Sequence, residues 1–217
     1  MRIDFVSDVA CPWCAVGLNA LERALANLGS EVSVELHFQP FELNPDMPPE
    51  GANTVDYLAR KYGISPQQIA QNQTAIRQRG ADVGFVFGER PHVWNTFDAH
   101  RLLAWAPSQG ADAQRRLKHA LLKAYHGEGQ NPGDREVLLA LVGQLGLDVA
   151  AAQQVLDSKA YADEVREAEA AWQQAGIHSV PSIVIDQKHL IQGGQPPEVF
   201  EQALRRLAGA TDAPGAA

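Results

Sequence analysis

The chain has 217 residues and a formal net charge of −8, and 45% of its residues are hydrophobic. This length fits one large domain, or a small domain that carries an inserted one. The acidic balance and the dispersed Lys and Arg residues argue against nucleic acid as a partner. No apolar run approaches the length that spans a bilayer, so no membrane partner is expected. Asp4 and Asp8 interrupt the opening residues, which make a poor signal peptide, and we expect a cytoplasmic protein.

The first forty residues predict a β–α–β unit. Residues 2–7 are a short apolar run typical of a strand, and leucines at helical spacing follow until Gly29. Residues 32–38 then alternate between apolar and polar side chains, which indicates a second strand. Cys11 and Cys14, the two cysteines of the chain, lie at the turn between the first strand and the helix.

The middle of the chain predicts helices and gives no strand signal. It follows a proline-rich stretch that leads out of the first unit. Ser65 and Gln68 fit a capping box, and Asn95 is the expected N-cap of a later helix. Asp134 and Asp148 begin two further short helical patterns.

The end of the chain predicts a helix, a β-hairpin and a last helix. Residues 182–186 and 190–194 are the hairpin strands, and the last eight residues have the composition of a frayed tail. Strands from both ends of the chain form one sheet only if the helices between them are an excursion. We therefore predict an α/β domain of residues 1–45 and 158–217, interrupted by an inserted all-α domain of residues 46–157.

The cysteine pair predicts redox chemistry. Cys11 precedes Pro12, a residue favoured at the first helical position, so Cys11 faces the unpaired N–H groups and positive end of the helix. These favour the thiolate, which is the attacking form. Cys14 lies one turn later on the apolar side, within bridging distance. We expect an exposed Cys11 to attack, a shielded Cys14 to resolve, and the pair to form a redox-active disulfide.

Three other interpretations of the pair stay open on the residues alone. A zinc site would need distant ligands, because there is no second cysteine pair and no close histidine couple. A Cys–His hydrolase would leave the second thiol idle. Two buried structural cysteines would fit poorly, because a strand-to-helix turn is a poor place to hide Cys11. We expect no metal and no bound cofactor.

Pro181 stands directly before the predicted strand that starts at Ser182. It is either an ordinary loop proline or a cis proline at a strand start, and the sequence does not fix the isomer. A cis bond would present the backbone of Val180 to an extended peptide or to glutathione. Val180 and Pro181 are therefore candidate substrate-binding residues.

Several stretches resemble a known family: "IDFVSDVACPWCAVG", "NTFDAHRL", "KAYHGEG", "SVPSIVI" and "GGQPPEVFEQAL". The C-P-x-C turn and the V-P before a closing β–β–α unit resemble the thioredoxin fold. The long helical insertion is similar to that of the DsbA family, including its cytosolic FrnE-like branch. The resemblance implies a disulfide oxidoreductase or isomerase that uses Cys11 and Cys14, with Pro181 beside them. Its partners would be disulfide-containing polypeptides or small disulfides of the glutathione type.

Two relatives of that fold suggest an alternative function. The 2-hydroxychromene-2-carboxylate isomerases and the kappa-class glutathione transferases look similar in layout, but as a family they use serine where this chain has Cys11. The complete C-P-W-C argues against them and leaves glutathione open as a co-substrate. A chaperone-like module that binds polypeptides through the helical insertion is a further alternative. The oligomeric state stays open.

Pro12 and Trp13, between the cysteines, are expected to tune the pair. The best-known member of the wider family carries a histidine in place of Trp13. A histidinium helps to hold a thiolate, whereas an indole does not. We therefore expect Cys11 to be less acidic than in that member and the pair to be a milder oxidant. In a reducing cytosol such a pair rests as the dithiol.

Four further residues are weaker candidates for the site. Asp8 would accept protons near the cysteines or cap the turn before them. His92 and His100 face the cysteines if the insertion overhangs them, and otherwise are surface or core residues. Asn53 would contact a ligand or cap the helix that follows it.

Overall fold

The structure is a computed structural model that describes residues 1–211. Its strands are β1 (Arg2–Ser7), β2 (Glu35–Pro40), β3 (Ala52–Asn53), β4 (His92–Val93), β5 (Ser182–Ile185) and β6 (His189–Gln192). Its helices are α1 (Pro12–Leu28), α2 (Thr54–Tyr62), α3 (Pro66–Asp82), α4 (Phe97–Trp105), α5 (Ala113–Leu122), α6 (Arg135–Gln144), α7 (Val149–Asp157), α8 (Ala162–Gln174) and α9 (Pro197–Thr211). Of the predicted frayed tail, residues 212–217 lie outside the described residues.

Strands from both ends of the chain form one mixed sheet. The order is β2–β1–β5–β6, with β1 parallel to β2 and antiparallel to β5, and β6 antiparallel to β5. In the central pair, Phe5 lies opposite Ile183 and both are completely buried. The predicted α/β class is confirmed, and the sheet is mixed.

Two layers of helix cover the faces of this sheet. Helices α1 and α9 pack together, and their apolar faces join Ile3 and Phe5 in one core. On the other face, Val6 and Val184 pack with Phe41 and Ile177, and Trp172 of α8 covers them. Alternation of side chains along β1 explains the division, because successive residues of a strand point to opposite faces.

The helices between the two halves have a second core of their own. Leu102, Leu117, Leu121 and Leu138 are among its buried members, and each is fully shielded from solvent. Val9, in the loop that leads from β1 to Cys11, is buried in this second core as well. The cysteine turn therefore lies where the two cores meet.

Three local predictions need correction. The middle of the chain is not purely helical, because β3 and β4 form a short antiparallel ribbon. Two-residue strands leave no alternation for a pattern to detect. The second strand of the main sheet runs over residues 35–40 instead of 32–38. The N-cap of helix α4 is Thr96. Asn95, one position earlier, accepts a hydrogen bond from the Phe97 N–H with its Oδ1.

The other predicted helix ends agree with the structure. Ser65 and Gln68 form the capping box, and Asp134 and Asp148 each accept hydrogen bonds from the first turn of their helices. Helix α5 continues into a single wide turn over residues 123–127. Within the described residues, no helix is both long and apolar enough to cross a membrane.

Candidate active site

The start of α1 determines the position of Cys11. The helix begins at Pro12, and Cys11 is its N-cap with an extended backbone, at φ −89° and ψ 114°. Proline fits this first position because its fixed φ is helical and the missing N–H would have no partner there. The Cys11 side chain does not cap the helix, so its sulfur is left for other contacts.

Both cysteines are buried, and this differs from the prediction for Cys11. Cys14 is 0% exposed within the core under the sheet, as its place on the apolar face of α1 predicts. Cys11 was predicted to be exposed, yet it is only 4% exposed. The reason is that the turn is covered from three sides, by α1, by residues 178–180 and by the helical segment. Its sulfur faces a cleft and not open solvent.

The two thiols have opposite pKa shifts. A hydrogen bond from the Cys14 thiol lowers the pKa of Cys11 most, and the backbone N–H groups of Cys14 and Trp13 lower it further. Burial and the negative charge of Asp8 act against these contacts without reversing them. Burial raises the pKa of Cys14 well above its ordinary value, and the shared hydrogen bond with Cys11 adds to that. Cys11 is therefore the better thiolate of the pair.

Pro181 and Val180 lie directly beside Cys11. The Val180–Pro181 peptide bond is cis, and the Cys11 thiol donates a hydrogen bond to the Val180 carbonyl, 3.5 Å away. Pro181 packs against α1 at Gly17, where a Cβ atom would lie 3.0 Å from the proline ring. Within the described residues, the Val180 N–H has no hydrogen-bond partner. The backbone here keeps one donor available at the edge of the cleft.

A cleft of about 830 Å³ opens above Cys11. This volume is in the range of small-molecule sites. Its floor is the start of α1 with Val180, one wall is residues 41–44, and the opposite wall is formed by α2 and α3. The α2 and α3 wall is largely apolar and aromatic, with Tyr57, Leu58, Tyr62, Ile64, Ile69 and Ile76.

Asp8 and His100 lie beneath the cysteine turn and outside the cleft lining. Asp8 Oδ1 accepts hydrogen bonds from the Ala10 N–H (3.0 Å) and the Thr96 hydroxyl (2.8 Å), and lies 3.3 Å from His100 Nε2. Its Oδ2 accepts from the Leu43 N–H at 2.7 Å. The carboxylate thus caps the turn, as one of the two predictions for Asp8 states. Of the two alternatives for His100, the structure agrees with a core residue, because its ring is buried against Asp8.

Asn53 and His92 have structural roles in the described chain. Asn53 Oδ1 accepts the Val55 and Asp56 N–H groups and caps α2, away from the cleft lining. The ring of His92 stacks on Trp94, with the centroids 5.0 Å apart, and does not line the cleft. Neither side chain reaches Cys11, since both are committed to local contacts at the β3–β4 ribbon.

Two basic residues of the site were missed by the sequence analysis. Arg90 lines the cleft and donates to the Ala10 carbonyl at 3.1 Å, one residue before Cys11. Lys118 is 1% exposed, and burial lowers its pKa. The negative charges of Cys14, Asp8 and Cys11 oppose this effect in part. The signal that could have identified Lys118 is its place among the buried leucines of α5. Arg90 had no such signal, because it lies in a loop.

Two further groups near the site were also missed. His126 is buried, and its Nε2–H donates to the Val9 carbonyl at 2.8 Å. Its signal was the stretch "KAYHGEG" itself. Glu42 lines the cleft, and burial, together with the charge of Glu169, raises the pKa of Glu42 to about 7. Across residues 1–211, no three His, Cys, Asp or Glu side chains gather in a way that would hold a metal ion.

A four-stranded mixed sheet with a C-x-x-C turn after its first strand defines a thioredoxin-fold protein with a dithiol site. The family model described as the DSBA-like thioredoxin domain matches residues 2–205. The chain belongs to this family, and the FrnE-like branch is consistent with the match. The predicted family and fold are thereby confirmed.

Solved structures of related proteins agree with this assignment. A probable DsbA oxidoreductase from Streptomyces coelicolor is 34% identical, with a TM-score of 0.91, over 100% of this chain and 93% of that chain. A 2-hydroxychromene-2-carboxylate isomerase shares the fold at 19% identity and a TM-score of 0.74, over 99% and 100% of the two chains. The cytosolic disulfide reductase DsbM from Pseudomonas aeruginosa with GSH shares it at 16% identity and a TM-score of 0.66, over 95% and 98%.

Proposed function

We propose that this protein is a dithiol–disulfide oxidoreductase in which Cys11 attacks the substrate and Cys14 resolves the intermediate. The observation that carries the proposal is the asymmetry of the pair. Cys11 lines the cleft and has a lowered pKa, whereas Cys14 is shielded and has a raised pKa. Attack by the more acidic, cleft-facing thiol and release by the shielded one is the order that thiol–disulfide exchange requires.

The first step forms a mixed disulfide. The Cys11 thiolate attacks one sulfur of a substrate disulfide, the substrate S–S bond breaks, and one substrate thiolate leaves. The N–H groups of Trp13 and Cys14 at the start of α1 stabilise the attacking thiolate. The free Val180 N–H stands beside this sulfur and is available to bind a backbone carbonyl of a peptide-like substrate.

The second step releases the product. Cys14 loses its proton and attacks the Cys11 sulfur, so that the mixed disulfide breaks and the second substrate thiolate leaves. The protein pair ends as a disulfide, and two electrons have passed to the substrate. The charge of Lys118 lowers the pKa of Cys14 against the effect of burial, so this buried cation favours the thiolate that the step needs.

The dimensions and lining of the cleft favour small disulfides as substrates. A cleft of about 830 Å³ with one apolar wall accepts a small peptide or a tripeptide such as glutathione. The structural neighbour DsbM, a cytosolic disulfide reductase whose structure contains GSH, supports glutathione as a co-substrate and the cytoplasm as the location. We also propose that Cys11 attacks disulfides of polypeptides when an extended segment of the polypeptide enters the cleft. Trp13 carries no positive charge that would hold a thiolate, which supports our expectation of a moderate potential.

Single-cysteine variants test the assignment of roles. Cys14→Ser should form a stable mixed disulfide with glutathione that mass spectrometry detects on Cys11, because no thiol remains to resolve it. Cys11→Ser should form none and should lose reduction of insulin and of glutathione disulfide. Retained reduction in Cys11→Ser would refute the mechanism. Unchanged turnover in Cys14→Ser would point to one-thiol chemistry, as in the glutathione-dependent isomerases.

The reduction potential of the pair tests the direction of electron flow. Equilibration with glutathione buffers, followed by alkylation of free thiols, measures the fraction of oxidised Cys11–Cys14. We expect the pair to be mainly reduced at a cytosolic glutathione poise. A pair that is mainly oxidised there would make the protein an oxidant.

The alternative of a chaperone-like module has its own test. Loss of reductase activity in Cys11→Ser with unchanged suppression of aggregation would assign the helical insertion a separate chaperone role.

A further inference from the structure

Arg90 lines the cleft without a carboxylate partner. It lies where the cleft joins a second cavity of about 330 Å³, and it lines both. Arg79, also on α3 as Arg77 is, donates to the Gly194 carbonyl. In the part of the chain that the structure describes, Arg90 forms no ion pair with any Asp or Glu. A half-buried guanidinium in this position is a candidate anion-binding group.

The guanidinium of Arg90 is held in place by neutral groups. One terminal nitrogen donates to the Ala10 carbonyl at 3.1 Å and lies 3.2 Å from His126 Nδ1. Burial and then the Arg90 charge lower the pKa of His126 well below its usual value, so the ring is neutral. Its Nε2 carries the proton, because that atom bonds to the Val9 carbonyl, which only accepts. The ring of Tyr125 covers the guanidinium from 5.3 Å.

These contacts leave part of the guanidinium fork available. A guanidinium has five N–H donors; one terminal nitrogen contacts Ala10 and His126, and the side chain also shares a hydrogen bond with Tyr125. The other cation of the cleft, Lys61, donates to the Leu43 carbonyl and to Asn44 Oδ1. The cleft lining holds one acidic side chain, Glu42, which forms an ion pair with Arg166. Both cations thus contact neutral groups, and Arg90 is the one whose contact reaches Ala10, the residue before Cys11.

We infer that Arg90 binds a carboxylate of the small disulfide that Cys11 attacks. This inference rests on the proposed function and names its substrate class: low-molecular-weight disulfides with a carboxylate a few bonds from the sulfur. The Ala10 contact holds the guanidinium beside the residue that precedes Cys11, and Arg90 and Cys11 line the same cleft. Arg90 transfers no proton. It orients the disulfide for the exchange described above, in which electrons move only among the sulfur atoms.

A purely structural role is the competing explanation. By holding the Ala10 carbonyl, Arg90 also stabilises the turn before Cys11, and its loss would then slow every substrate to the same extent. The two roles differ in whether the effect depends on substrate charge. The test therefore compares disulfides that differ in charge on the same variant.

The experiment measures single turnovers of the reduced protein with three disulfides. These are 3,3′-dithiodipropionate (anionic), bis(2-hydroxyethyl) disulfide (neutral) and cystamine (cationic). We expect Arg90→Gln to lower the second-order rate constant for the anionic disulfide by about 10-fold, the loss expected for one charge-assisted hydrogen bond. The neutral and cationic disulfides should change by less than about twofold. Arg90→Lys should retain part of the anionic rate, because it keeps the charge without the fork.

Arg77→Gln is the matched control. Arg77 is exposed and lines the second cavity but not the cleft. Its replacement by glutamine changes the net charge by the same amount as Arg90→Gln does. It should leave all three rates unchanged, which separates a local contact from long-range attraction. Equal losses for all three disulfides in Arg90→Gln would overturn the inference and leave a structural role. Unchanged rates for all three would overturn it as well.

A binding measurement keeps the inference separate from the redox proposal. Calorimetry with 3,3′-thiodipropionate, a thioether that cannot exchange, reports the carboxylate contact without any thiol chemistry. Tighter binding by the wild-type protein than by Arg90→Gln supports the inference, and equal binding overturns it. Failure of wild-type protein to reduce even bis(2-hydroxyethyl) disulfide would refute the proposed function, whatever the calorimetry shows.

Discussion

The buried carboxylate of Asp8 gives the sharpest test of how the site is built. Each of its oxygens is used: Oδ1 by Ala10, Thr96 and His100, and Oδ2 by the Leu43 N–H at 2.7 Å. Asp8→Asn preserves the shape of the side chain but replaces one acceptor oxygen with a donor NH₂. We expect this variant to lose stability and at the same time to acidify Cys11.

The magnitude follows from the hydrogen bonds. The better orientation of the introduced amide keeps the three partners of Oδ1 and turns the NH₂ group toward the Leu43 N–H. Two donors then meet in a buried place, and an unsatisfied buried group costs about 1–3 kcal/mol. We expect a loss of about 2 kcal/mol, which is ~4–8 °C in Tm for a protein of this size.

The pH dependence has a definite sign. Burial raises the pKa of Asp8, but the His100 contact and the Leu43 and Ala10 N–H groups outweigh burial, and the net pKa is lowered. The folded protein therefore gives up this proton at lower pH than the unfolded chain. The stabilisation is present above the unfolded pKa of about 3.9 and is lost as pH falls through the folded value. The stability gap between wild type and Asp8→Asn should narrow below about pH 4.

Asp8→Asn should favour the Cys11 thiolate even though it destabilises the fold. The negative charge of Asp8 raises the pKa of Cys11, so its removal should lower that pKa. Urea unfolding of the reduced protein measures stability, and the pH profile of iodoacetamide alkylation measures the Cys11 pKa. Asp148→Asn is the control, because Asp148 is an exposed helix cap and asparagine caps equally well. Stability within about 0.5 kcal/mol of wild type, or a raised Cys11 pKa, would refute the reasoning.

Two further predictions concern buried charges near the site. Lys118→Met should slow resolution of the mixed disulfide by about tenfold, the effect of about 1.4 kcal/mol on the barrier, because it removes the cation whose charge lowers the pKa of Cys14; an unchanged resolution rate would show that the charge of Lys118 does not act on Cys14. For Glu42, burial and the charge of Glu169 raise the pKa to about 7, so the folded state holds this proton more tightly than the unfolded chain and wild-type stability falls as pH rises from about 4.3 to 7. The stability of Glu42→Gln relative to wild type should therefore rise by about 2–3 kcal/mol between pH 5 and 8, and a difference in urea unfolding that stays constant with pH would contradict this.

Local chemistry explains which residues could be placed from the sequence. Cys11 and Cys14 are placed by Pro12 and by the leucine face of α1, which need no information from distant parts of the chain. The capping of α2 by Asn53 is equally local. Such features depend on contacts a few residues apart, and one sequence contains all of them.

Contacts between distant segments explain the errors. The sequence left His100 either in the cleft or in the core, and the contact with Asp8, 92 positions earlier, holds its ring in the interior. Cys11 looked exposed because its own turn does not cover it, and residues around Val180 do. Arg90 carried no signal, since its importance comes from the Ala10 carbonyl, 80 positions away.

The sequence by itself determined the class of fold, the dithiol turn and the order of attack, because strand and helix periods and a helix N-terminus are local properties. Only the tertiary structure decided which charges surround that turn. Asp8, Lys118 and Arg90 come from a loop and from the helical segment, and they meet at the cysteines because two cores join there. Desolvation and charge at a few ångströms determine the pKa values of the two thiols, and both depend on packing that no single stretch of sequence contains.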